Sequence, residues 1–156
     1  MKPRGPLMIE HRLIEKMFRL VEGEIASIKG QGGADPVFID TMVDFIRTYA
    51  DRTHHGKEED ILFVRLAAKQ MSADDRRAME ELTEEHRFAR KTVKELVDAK
   101  EAHVRGDGAA LKTIVEKMDT LSRFYPEHIR KEDKTFFPAT EAYFTQEELD
   151  AMLSDF

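Results

Sequence analysis

The reading of this chain turns on residues 54–63, HHGKEEDILF, and on their echo at residues 128–137, HIRKEDKTFF. Each stretch opens with a histidine that is followed four positions later by a glutamate, His54 with Glu58 and His128 with Glu132. On a helix, residues four apart share one face and lie about one turn from each other. The likeness runs on past the glutamates. Glu58-Glu59-Asp60-Ile61-Leu62-Phe63 and Glu132-Asp133-Lys134-Thr135-Phe136-Phe137 both pass from charged residues to an apolar end. Two helices therefore carry one local pattern.

Outward from these motifs, apolar residues recur at intervals of three and four, the mark of an amphipathic helix. The first helix is expected from about Pro6 to Lys29, with Leu7, Ile14, Phe18, Val21, Ile25 and Ile28 inward. A glycine-rich break ends it, and Asp35 followed by Pro36 suits the cap and first turn of a second helix reaching about Gln70. Ser72 with Asp75 resembles a capping box for a third helix running to about Arg105, where Gly106-Asp107-Gly108 stops it. The fourth is expected from about Ala109 to Thr135, interrupted by Pro126 just before His128 and closed by Pro138. Thr145 with Glu148 is a capping box for a short terminal helix, Gln146 to about Leu153. Short connections make neighbouring helices antiparallel. The expectation is an all-α, up-down-up-down four-helix bundle with a short C-terminal helix. The whole chain, 1–156, reads as a single domain with its bundle at about 7–138 and an extension at 139–156.

Two further histidines fall on inward faces. His11 has Leu7, Ile14 and Phe18 on its side of the first helix, and His86 has Leu82, Ala89 and Val93 on its side of the third. At ~1.5 Å of rise per residue, antiparallel packing brings His11, His54, His86 and His128 to about one level. Neutral imidazoles with carboxylates suit first-row transition metals. Glu58 and Glu132, entering from opposite helices, can each bridge two cations. Two such carboxylates buried without a cation would repel, and one would have to keep a proton.

Composition narrows the alternatives. The chain has 41% hydrophobic and 36% charged residues, which fits amphipathic helices rather than disorder. Its net charge is −6 and no basic block stands out, so no nucleic-acid partner is expected. There are no cysteines, which excludes disulfides, thiolate metal sites, iron–sulfur clusters and a cysteine nucleophile. The opening MKPRGPLM has no apolar run behind it, so no signal peptide, no membrane partner and a cytoplasmic location are expected.

His11, His54-x-x-x-Glu58, His86 and His128-x-x-x-Glu132 together resemble the hemerythrin-like, or HHE cation-binding, family over roughly residues 7 to 138. That resemblance implies a non-haem centre of two iron ions with those six residues as ligands, bridged by carboxylate, oxo or hydroxo groups, other divalent metals being admissible. Oxygen-carrying hemerythrins use a fifth histidine on the third helix, one turn from the first. Here Leu82 and Arg90 occupy those positions, so a more symmetric and more open site is expected. The carriers also use an aspartate five after the fourth-helix histidine. Asp133 holds that spacing, but Glu132 aligns with Glu58 and is preferred. His55, which pairs with Glu59 on a rotated face, is read as an outer or solvated residue, and His103 as structural. Tyr49 and Tyr125 read as boundary aromatics within reach of the site. The resemblance implies a protein that binds or senses dioxygen or nitric oxide, with a redox or signalling partner left open. The alternative is a di-iron enzyme or iron-handling protein acting on nitric oxide, peroxide or damaged iron centres.

Overall fold

The computed structural model describes residues 1–156, and every regular element in it is helical. Helix α1 is Arg4–Gln31, α2 is 36–67, α3 is Ala73–Val104, α4 is 110–141 and α5 is Gln146–Asp155.

Local chemistry sets the ends. Gly32 takes φ 73°, in the left-handed region, and its N–H bonds to the Ile28 carbonyl, which closes α1. Asp35 accepts from the Val37 N–H at 3.0 Å with Pro36 in the first turn of α2. Ser72 accepts from the Asp75 N–H at 3.1 Å. The return arm of that box is missing, because the Asp75 carboxylate instead accepts from the Tyr143 hydroxyl at 2.6 Å. Thr145 and Glu148 form the complete box, with both arms present.

The two helices that carry the His-x-x-x-Glu motifs are not uniform. Ile46–His55, Glu58–Phe63 and Glu132–Phe136 wind as wider π-type turns. Such turns add a residue without adding a full turn, and they gather at functional sites. The last of them changes the expected end of α4. Pro138 does not close the helix: the chain stays helical through Phe137–Glu141, directly after the π-type stretch Glu132–Phe136. Pro126 lies inside α4 without ending it.

Helix α1 packs on α4 and on the middle of α2, while α3 packs on α2 and α4. Ion pairs fix the order along the α2–α3 contact: Asp40 meets Lys100 at 2.9 Å, Asp51 meets Arg90 at 2.7 Å and Glu59 meets His86 at 2.6 Å. Along α3–α4, Glu81 meets Lys131 at 2.6 Å and Glu95 meets Lys117 at 2.7 Å. The core is split in two. A larger cluster holds Phe18, Ile39, Leu96, Met118 and Tyr125, and a smaller one holds Leu7, Leu66, Leu82, Phe136 and Phe137. Met152 of α5 completes the smaller cluster. Between the two lies a layer of buried histidines and carboxylates. No helix is long and apolar enough to cross a membrane.

Candidate metal centre

The six residues singled out by the sequence meet in that layer. His11, His54, Glu58, His86, His128 and Glu132 are each at most 2% exposed. Glu58 turns Oε1 toward His54 Nε2 at 3.3 Å and Oε2 toward His86 Nε2 at 3.4 Å. Glu132 turns Oε2 toward His11 Nε2 at 3.1 Å, and Oε1 toward His128 Nε2 at 3.2 Å and His86 Nε2 at 3.7 Å. Each carboxylate thus gives one oxygen to the His11/His54 side and the other to the His86/His128 side. Two clusters able to hold a metal ion follow: His11, His54, Glu58 and Glu132 form one, and His55, His86 and His128 form the other.

Whether these residues suit metal ions is decided by their unpaired atoms. The four Nε2 atoms of His11, His54, His86 and His128 and all four carboxylate oxygens of Glu58 and Glu132 are buried without a hydrogen-bond partner. Leaving one buried polar group unpaired costs about 1–3 kcal/mol. Eight converging on one spot are a donor set for cations, and imidazole with carboxylate is the mixture that divalent iron, manganese or zinc takes. The fit is good.

The opposite nitrogen of each ring is held, and held in rotation around the bundle. Glu10 of α1 accepts from His54 Nδ1 of α2 at 2.7 Å. Glu59 of α2 takes His86 Nδ1 of α3 at 2.6 Å, and Glu85 of α3 takes His128 Nδ1 of α4 at 2.6 Å. Asp133 of α4 returns to His11 Nδ1 of α1 at 2.7 Å. Each of these carboxylates is anchored by a cation on the helix it reaches: Lys57, Arg90, Lys131 and Arg12 respectively. A carboxylate on Nδ1 fixes the tautomer, aims Nε2 inward and raises ring basicity. The sequence reading missed this ring of carboxylates. Asp133, the runner-up ligand, belongs to it, and Glu132 is the residue that points inward.

Electrostatics follow from the same contacts. Burial and the facing Glu132 push the Glu58 carboxyl up, but His54 and His86 outweigh them and hold it below the ordinary range. Burial likewise opposes ionisation of Glu132, and His128, His11 and His86 overcome it. Burial pulls the histidines down, yet the carboxylates lift His54 to about 10, His86 to about 11 and His128 to about 9. His55 differs: burial and then the neighbouring His86 push it down to about 4, so its ring is neutral.

His55 is also where structure and sequence reading part. It is not solvated; it is 1% exposed and its ring lies against His86, centroids 3.7 Å apart. Asp51 holds its Nδ1 at 3.2 Å. Tyr125 is fully buried, stacked on Phe18 at 4.5 Å, and its hydroxyl has no partner. Tyr49 is half-buried and stacks on Phe45 at 5.2 Å. His103 stands near the end of α3, away from the layer.

A buried layer of paired glutamates and inward histidines inside an all-helical bundle defines a metal-binding helical protein. The chain matches the hemerythrin HHE cation binding domain over residues 6–140, and it belongs to that family. No curated protein and no solved structure gave a significant match.

The carboxylate ring makes a direct prediction. Glu85→Ala frees His128 Nδ1 and is expected to weaken binding of one ion about 10–100-fold. Glu84→Ala, whose exposed side chain pairs with Arg87, should change nothing. Calorimetric zinc titration checks both. Equal behaviour of the two variants would remove the orienting role of Glu85.

Proposed function

We propose that the chain is an up-down-up-down, antiparallel four-helix bundle holding a non-haem pair of iron ions that binds dioxygen or a related small molecule such as nitric oxide. The observation that carries this is the split of each glutamate's oxygens between the two histidine sets. A single cation needs no such division, whereas two adjacent cations are held together by it. His11 and His54 would hold one ion, His86 and His128 the other, and Glu58 and Glu132 both. A reduced iron pair supplies electrons and a coordination position to a small molecule.

The chain's own residues do the rest. The four outer carboxylates keep each Nδ1–H engaged, so each ring turns Nε2 inward, where an ion would replace its proton. Phe18, Leu121 and Tyr125 on one side of the layer, and Phe63, Phe136 and Phe137 on the other, keep bulk water out. Exclusion of water strengthens every electrostatic contact within the layer and favours reversible binding. A cytoplasmic location, the absence of nucleic-acid or membrane partners and a separate redox or signalling partner complete this reading.

One observation favours a second reading, in which nitric oxide or peroxide is consumed. A pocket of about 330 Å³ between α2 and α3 reaches His55 and Tyr125, with Arg47, Arg90 and Lys94 along its sides. It gives a polar molecule a way toward the layer.

Anaerobic loading with ferrous iron distinguishes the readings. Two irons per chain, and a visible band that appears with oxygen and fades on its removal, are the expected result. Two irons that oxidise once, or that turn over with a reductant, favour the second reading. Fewer than two irons would overturn the iron-pair assignment.

A further inference from the structure

Resting on the two-metal reading above, we propose that His55 is a seventh protein ligand, supplying from α2 the fifth imidazole that α3 lacks and making the two metal positions unequal. Three observations converge on it. A nitrogen of His55 lies within 4.8 Å of a nitrogen of His86 and of His128, so the three can surround one ion. His55 is 1% exposed and carries the same device as the other four inward histidines, a carboxylate on Nδ1, here Asp51 at 3.2 Å. With the proton kept on Nδ1, the Nε2 lone pair is free. The third observation is Arg90. Its guanidinium takes Asp51 at 2.8 and 3.0 Å through Nε and Glu59 at 2.9 Å through Nη2. One cation thus fixes the two carboxylates that orient His55 and His86, tying both rings to a common frame. The other cluster holds two histidines only, His11 and His54, with Glu58 and Glu132.

The geometry also states what ligation requires. The His55 and His86 rings are within 12° of parallel and overlap face to face. A ligated ion lies in the plane of its imidazole, so one ring must tilt before both can hold the same ion. His55 is the freer of the two. Its link to Asp51 is the longest of the five Nδ1 contacts, and the 330 Å³ pocket lies directly against it.

The test is Mössbauer spectroscopy of the full chain loaded anaerobically with ferrous ⁵⁷Fe, together with a zinc titration. Wild type is expected to show two quadrupole doublets of equal area. His55→Ala should bring them toward one doublet and weaken one of the two zinc-binding steps by roughly tenfold or more, leaving the other unchanged. His55→Phe keeps an aromatic ring on His86 but no nitrogen. It should match His55→Ala if His55 is a ligand, and wild type if the ring only stacks. The inference is overturned by a single doublet in wild type, or by a His55→Phe protein with unchanged spectra and affinities. Fewer than two irons in wild type would instead defeat the two-metal reading on which it rests.

Discussion

Glu132→Ala is expected to leave a chain that can no longer hold two metal ions. Glu132 faces three histidine nitrogens, with one oxygen 3.1 Å from His11 Nε2 and the other 3.2 Å from His128 Nε2 and 3.7 Å from His86 Nε2. On the proposed two-metal reading, its loss would strip a ligand from both positions at once and remove one of the two carboxylates placed to offset two divalent ions. Glu58 faces two histidines, so Glu58→Ala should be severe but slightly less so. Glu132→Gln keeps the shape and removes the charge, and should resemble the alanine variant. Glu127→Ala, whose exposed carboxylate only pairs with Arg130, is the control. Ligand held at a thousand times its dissociation constant stabilises a fold by about 4 kcal/mol per site. For a domain of this size that is on the order of 10 °C in melting temperature. Metal counting and thermal melts with and without metal should therefore agree: two ions and a large shift for wild type, at most one ion and little shift for Glu132→Ala. Two ions bound by Glu132→Ala at wild-type affinity would remove the bridging role.

Glu132 also shows what the sequence could reveal. Its spacing from His128, and the echo of that spacing at His54 and Glu58, were enough to place four inward side chains. The levels of His11 and His86 within their helices placed two more. Each of those inferences rests on one helical period, which a sequence displays directly. The outer carboxylates were hidden for the opposite reason. Glu10, Glu59, Glu85 and Asp133 each reach across to another helix and stand among 31 acidic residues, where the helical period marks Glu59 only as a partner of His55 and Asp133 only as an alternative to Glu132. A signal was present in retrospect, since each lies next to one of the six inward residues: Glu10 before His11, Glu59 after Glu58, Glu85 before His86 and Asp133 after Glu132. The π turns were invisible because apolar spacing does not tell an i→i+5 ladder from an i→i+4 one. Two differences from the sequence reading fall at those turns: α4 continues past Pro138 after Glu132–Phe136, and His55 ends the stretch Ile46–His55.

The neighbouring positions also give the bundle an organisation. Every helix contributes an inward residue and, one position away, a carboxylate that orients the histidine of the next helix. Closing the cycle from α1 through α4 and back ties the orientation of each ligand to the packing of two helices. Movement of one helix would therefore shift the histidine ring that its carboxylate holds on the next.

The apparent metal affinity is expected to be steeply pH-dependent, because protons and cations compete for the same ring nitrogens. In the absence of a cation, burial opposes charge on the histidines, but the carboxylates win and raise His54 to about 10, His86 to about 11 and His128 to about 9. Groups raised in the folded state add stability that is fully present below the unfolded histidine value of about 6.5 and is lost as pH climbs through 9–11. Glu58 and Glu132 are depressed, so their contribution is present above ordinary carboxyl values and is lost on acidification. The metal-free chain should accordingly be most stable near pH 5–6 and weaken on the alkaline side. Metal binding reverses the trend, because an ion can take Nε2 only after its proton has left. Affinity should rise about tenfold per pH unit for each proton displaced, roughly 100-fold between pH 6 and 8 for one proton per ion. Zinc, which is redox-silent, isolates this effect from oxidation. Titrations at pH 6, 7 and 8 in buffers of different ionisation enthalpy would count the protons released. Rising affinity with proton release means that protons and cations compete for one set of nitrogens. Flat affinity with no release would mean that the rings are already neutral before an ion arrives, with burial outweighing the carboxylates around them.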